Sequence, residues 1–182
     1  ARELGEDITD LVLLKLLPHS DTAANRRKEA WVHVAPTITG DLKGWFENSG
    51  WTRAEDWPRV AQAILGFVLR CRDDPSHIEE ACAEFSELPY SKGFQTGMLT
   101  PILNALRPDD YALINNKPRQ VINHFGGTDH GQPLLDYPTL NQAFQQLVGD
   151  LTEDMHRLDV PEMRHGDLFD QLGEDSLWEL RG

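Results

Sequence analysis

The chain is poor in cysteine: Cys71 and Cys82 are the only two in 182 residues, too few for a disulfide-stapled scaffold. Both fall on segments that read as helices, so they are expected as buried free thiols, which assigns the protein to a reducing compartment, the bacterial cytoplasm. Long apolar runs are missing as well. "LVLLKLL" and "AILGFVL" fall far short of the ~20 residues a membrane span needs, and no membrane partner is expected. The first ten residues carry four acids, which does not suit a secretory signal. Basic residues are outnumbered, 17 against 30, and the net charge of −13 argues against a surface that embraces nucleic acid on all sides.

Several catalytic signatures are absent. There is no GxxxxGK(S/T) to cradle a nucleotide triphosphate, and no GxSxG or HExxH. Seven histidines invite a metal site, with His124, His130 and His165 nearest to a cluster. No pair sits at the i, i+4 spacing of two zinc ligands on a helix, and Cys71, His77 and Cys82 fit no usual zinc spacing. Neither metal nor cofactor is expected, and no catalytic residues. Glu79, Glu80 and Glu84 read as a solvated helix face, not as an acid–base pair.

Periodicity is helical nearly throughout, with apolar residues three and four apart. "DITDLVLLKLL" predicts a helix capped by Thr9 or Asp10, and "SDTAANRRKEAWVHVA" a second from Ser20 or Asp21 to Pro36. "TGDLKGWFENSG" predicts a short helix stopped at Gly50. "AEDWPRVAQAILGFVLRCRDD" is the best core helix, with Val60, Ile64, Phe67, Val68 and Cys71 on one stripe and Pro58 in its first turn. "DPSHIEEACAEFSEL", "SKGFQTGMLTPILNALRP", "KPRQVINHFGG" and "YPTLNQAFQQLVGDLTEDMHRL" complete the series. Pro101 kinks the sixth or marks its start. "YALIN" makes at most a short extended piece. The fold class is therefore all-α: a single domain of about seven or eight helices over residues 1–165, then an acidic helix and tail over 166–182.

Charge is distributed unevenly. Residues 1–87 carry a net −6 and residues 128–182 a net −9, whereas residues 88–127 hold Lys92, Arg107, Lys117 and Arg119 against Asp109 and Asp110. A polyanion would meet the chain in this section. It also contains "RPDDYALINNKPRQVINHF", a helix connector in which Asn115, Asn116 and Lys117 stand together. "LPYSKGFQTGML" partly matches the hairpin of helical DNA glycosylases through Leu88, Pro89, Gly93 and Thr96, with one residue too many before the glycine. That likeness relates the fold to glycosylase architecture. Amides at Asn115 and Asn116 stand where a general base would be needed, so base excision is not expected unless Asp109 or Asp110 substitutes.

From "DWPRVAQAILGFVLRC" through "KGFQTGMLTPILNALRPDDYALINN" the sequence resembles the N-terminal region of McrB-type AAA+ proteins, subunits of 5-methylcytosine-specific restriction systems. The likeness runs from about Asp7 to His156. It implies a non-catalytic DNA-targeting domain of a modification-dependent restriction or phage-defence system. The implied partners are DNA, plain or modified, a GTP-hydrolysing AAA+ motor and a McrC-type nuclease subunit. It strengthens a DNA-facing role for Lys92, Gln95, Asn115, Asn116, Lys117 and Arg119, with Asn and Gln meeting base edges and Lys and Arg meeting phosphate. A flipped base would need an aromatic-lined pocket, for which Tyr90, Phe94 and Tyr111 are the candidates; the alternative for Phe94 and Tyr111, and the one favoured, is a place in the core. The alternative is a protein–protein adaptor or oligomerisation domain of a AAA+ defence assembly, bound through its acidic faces. Asn115 and Asn116 can equally serve as caps of the helix that follows.

Overall fold

The computed structural model describes residues 7–33 and 38–157. Among them are eight α-helices: α1 (Thr9–Lys15), α2 (Ala23–Arg27), α3 (Leu42–Asn48), α4 (Trp57–Asp73), α5 (Ile78–Ser86), α6 (Thr96–Leu106), α7 (Asn116–Gly126) and α8 (Tyr137–Arg157). Extended pairing among these residues is limited to isolated bridges from His19 to Val32 and Ile38. The fold is all-α. Two compact units divide it, Ala1–Phe144 and Gln145–Gly182, and the boundary falls within α8. The expected division after residue 165 and the expected tail helix lie outside the described residues. No helix among the described residues is long and apolar enough to cross a membrane.

α4 organises the first unit because its apolar residues recur at helical spacing. Trp57, Val60, Ala61, Ile64, Phe67, Val68 and Cys71 are all buried, and α4 packs against α1, α5 and α6. Full burial of each large aliphatic or aromatic side chain contributes about 1.5–3 kcal/mol. Pro58 sits in the first turn, where its missing N–H costs nothing. At the other end Pro75 cannot supply the N–H that the carbonyl of Cys71 would otherwise accept. The phenol of Tyr111 supplies it instead, at 2.8 Å.

Three helices differ from the sequence reading, in length, cap or proline. α2 is five residues long, capped by Thr22, whose Oγ1 accepts from the Asn25 N–H. Glu29 then turns the chain at φ +52°, and Lys15 Nζ donates to its carbonyl and carboxylate. The following residues, with β-branched Val32 among them, are extended and bridge to His19. In α1 it is the Asp7 carboxylate that accepts from the Thr9 N–H, so neither Thr9 nor Asp10 caps it. α6 runs unbroken through Pro101, which is buried inside it.

The connector from α6 to α7 turns at residues 108–110 and then runs through 111–114 without regular structure, and its partners are side chains. Thr100 Oγ1 accepts from the Ile114 N–H at 2.9 Å, and Asn104 Nδ2 donates to the Tyr111 carbonyl at 2.8 Å. Asn141 Oδ1 accepts from the Ala112 N–H at 2.7 Å, and the Tyr137 hydroxyl donates to the Ala112 carbonyl at 3.0 Å. Buried backbone groups must be paired; here polar side chains on α6 and α8 replace a sheet. This bracing fixes where α7 begins.

Candidate functional site

α7 begins at Asn115, whose Oδ1 accepts from the Lys117 N–H at 3.0 Å, and stops at Gly127 with φ +62°. The capping role expected for Asn115 is therefore present, and it occupies only the oxygen of that amide. α6 begins at Gln95. The two N-terminal ends border one cleft of about 190 Å³, in which Gln95, Asn115 and Asn116 meet Trp45 and Gln132. Of the polar candidates, the fold thus brings these three amides together. Unsatisfied backbone N–H groups make a helix N-terminus locally positive, and among the described residues no carboxylate lines the cleft.

Gln132 arrives on the loop after α7. That loop is pinned by Asn123, which accepts from the His130 N–H and donates to the His130 carbonyl, both at 3.0 Å. The Gln132 carbonyl accepts from the Thr96 N–H, which fastens the loop to the first residue of α6. Asp136 secures it further through the Gly131 N–H at 2.6 Å.

The cationic candidates divide into two kinds. Lys92 and Lys117 are exposed and form no ion pair with a described residue, and each is adjacent in sequence to a cleft residue, Gly93 or Asn116. Elsewhere Lys15, Lys43, Arg70 and Arg107 are held by carboxylates. Arg119 departs from its expected phosphate role. It is half-buried, with Nη1 donating to the His130 carbonyl at 2.9 Å and Nη2 to Asn116 Oδ1 at 2.7 Å, while its buried Nε has no partner. Arg119 braces the loop and orients Asn116.

Of the two readings of the candidate pocket aromatics, Phe94 and Tyr111 take the core one. Phe94 and Tyr111 are 2% and 1% exposed and belong to the core. Phe94 stacks on Phe46 at 4.8 Å between ring centres, and Tyr111 caps the end of α4. Tyr90 is half-buried against the same core. The aromatic that lines the cleft is Trp45, 52% exposed. Its ring meets Phe46 and Trp51 edge-on at 5.4 and 5.3 Å, so a packed aromatic cluster holds it in place. Leu42 and Phe46, four apart, are buried on α3; Trp45, three after Leu42, has the spacing of the same face, so no sequence signal announced its exposure.

Behind the cleft, Gly93 lies flat on these rings. A Cβ there would stand 2.4 Å from two carbons of Phe46 and 2.7 Å from Trp51 Cε3. The glycine is required by close approach.

α7 itself has a further property. Its sequence, NKPRQVINHFG, contains no acid, and its exposed positions Asn116, Lys117, Gln120 and His124 fall at helical spacing on one side. Gln120 was missed because nothing local distinguishes an outward glutamine from any other. Among the described residues no cluster of His, Cys, Asp and Glu could hold a metal ion. Cys71 and Cys82 are free and buried, and burial pushes the Cys71 thiol up to about 12. Such thiols are poor nucleophiles. What the site offers is binding chemistry: an aromatic face, four side-chain amides and two lysines that no described carboxylate pairs. Compared with protein-family models, curated proteins and solved structures, the chain matches none of them.

Proposed function

We propose that this chain is the DNA-targeting domain of a McrB-like restriction or phage-defence system, non-catalytic in itself and working with a AAA+ GTPase motor and a McrC-type nuclease. One observation carries this reading: in a chain of net charge −13, α7 is free of carboxylates and starts at the amide-lined cleft. Lys92 and Lys117 supply phosphate contacts, and the acidic remainder repels the duplex and so orients it. Asn and Gln side chains can pair with base edges, the characteristic contact being bidentate to adenine. Trp45 supplies a face on which a base, 5-methylcytosine included, can stack, an interaction of about 1–3 kcal/mol. It takes the part expected of Tyr90, Phe94 and Tyr111.

The test is anisotropy binding to duplexes carrying cytosine, 5-methylcytosine or hydroxymethylcytosine, over a range of salt. Affinity should fall linearly in log–log form with salt, each phosphate contact adding about 0.9 to the slope. Lys92→Glu with Lys117→Glu should abolish binding, and Trp45→Ala should erase any preference among the duplexes while keeping the salt slope. Absence of wild-type binding at low salt to every duplex would sink the proposal.

A second reading, an adaptor within such an assembly, is favoured by the glutamate-rich outer face of α5, where Glu79, Glu80 and Glu84 are exposed.

A further inference from the structure

A groove of about 300 Å³ lies between α4 and α5 and shares no residue with the α6–α7 cleft. Phe67 and Phe85, 5% and 4% exposed, form its floor with buried Ala81, and half-buried Ala63 and Leu88 complete the apolar lining. Arg70 spans the lip, donating through Nη1 to Glu84 and through Nη2 to Glu80. One cation is thus shared by two carboxylates. With Glu79 and Glu87 also exposed nearby on the chain, α5 carries no cation of its own, and the lip is net negative.

Gly66 lies within α4, a helix of 17 residues, and lines this groove. A Cβ at Gly66 would meet nothing within 4 Å. Packing within the described chain therefore does not require glycine there. A glycine inside a helix is disfavoured relative to alanine because it sacrifices more backbone freedom on folding. What its missing side chain does is leave the groove open, and small residues let a second backbone approach closely.

We propose that this groove docks a basic amphipathic helix of a partner protein. A leucine-sized side chain seats over Gly66, above the Phe67 and Phe85 rings that pack on each other at 5.3 Å, and Lys or Arg residues beside it meet Glu80, Glu84 and Glu87. The acidic lip repels phosphate, which excludes nucleic acid as the occupant. A second copy of this chain, itself at −13, is a poor electrostatic match. An amphipathic helix laid into an apolar groove is a recurrent recognition mode, read through anchors at i, i+3, i+4 and i+7. The proposal is independent of DNA binding by α7.

The test uses two fluorescein-labelled helical peptides with leucine at i, i+3, i+4 and i+7. One carries lysine at the remaining positions and the other glutamate. Anisotropy titration against the whole chain should give saturable binding of the leucine–lysine peptide, at least about tenfold tighter than the leucine–glutamate peptide. Gly66→Leu should weaken it at least about tenfold by filling the groove. Leucine is a strong helix former at this open position, and circular dichroism verifies the fold. Should that variant fail to fold, Glu80→Lys with Glu84→Lys, at exposed positions, must produce the same loss. No saturable binding, or binding that the folded variants leave unchanged, would overturn the proposal.

Discussion

Replacing Gly93 with alanine tests whether the wall behind the cleft is as tightly packed as it is drawn. The new Cβ would stand 2.4 Å from two ring carbons of Phe46 and 2.7 Å from Trp51. Ordinary contacts lie at about 3.5–4.0 Å, so the overlap is on the order of 1 Å. Phe46 cannot retreat: it is fully buried and meets the rings of Trp45, Trp51, Trp57 and Phe94. Overpacking of this kind costs about 1–3 kcal/mol, and the reduced freedom of the unfolded alanine chain returns about 0.4–1. The net should be a loss of about 1–2 kcal/mol, which for a chain of this size lowers Tm by about 2–8 °C. Gly97→Ala is the control. Its Cβ would meet only Asn115, at 3.9 Å, inside helix α6, so it should be neutral or stabilising by up to about 1 kcal/mol. Thermal unfolding followed at 222 nm measures both. Shifts of the same sign, or an unaltered Tm in Gly93→Ala, would refute the packing argument.

Three further outcomes follow from the same geometry. Tyr111→Phe keeps the ring but leaves the buried Cys71 carbonyl without its donor, costing about 1–3 kcal/mol and lowering Tm by several degrees in the same assay. Burial raises the thiols of both Cys71 and Cys82 far above their ordinary range, so a disulfide reagent at about pH 8 should label neither in the native protein and both in guanidinium. Asp74 accepts from the Ser76 hydroxyl and N–H, which holds its carboxyl below the usual range. A depressed folded value means that this stabilisation is present above the unfolded pKa of about 3.9 and is lost as pH falls through the folded one. Asp74→Asn, which can still accept the same hydrogen bonds, should flatten the acid limb of a Tm–pH profile below about pH 4.

Helices such as α4 and α7 were legible because their signals are local: a stripe at helical spacing, Pro58 in a first turn, Asn115 before one helix and Gly127 after it. α2 was not, because its length is decided by distant groups. Lys15 holds Glu29 at positive φ, and His19 recruits Val32 into a bridge. The site divides the same way. A row of amides beside Lys117 is visible in the sequence, and Asn115, Asn116 and Gln95 do share one cleft. Arg119 is spent on the His130 carbonyl, eleven residues on, through a loop closure that no local pattern announces. Tyr111 and Phe94 illustrate the limit for aromatics, since sequence identifies a large ring but not which side of the protein surface it occupies. Trp45 was overlooked for the converse reason: three residues after Leu42 and next to Phe46 it reads as part of the core stripe, and its exposure depends on how α3 lies against the rest of the fold.

The most direct measurement of the central claim locates the contact surface: a ¹⁵N–¹H titration of the whole chain with a short duplex at low salt. Perturbations should concentrate on Lys92 to Gly97, on Asn115 to His124 and on the Trp45 indole, leaving the amides of α5 unmoved. Perturbations centred on α4 and α5, or none anywhere, would contradict it.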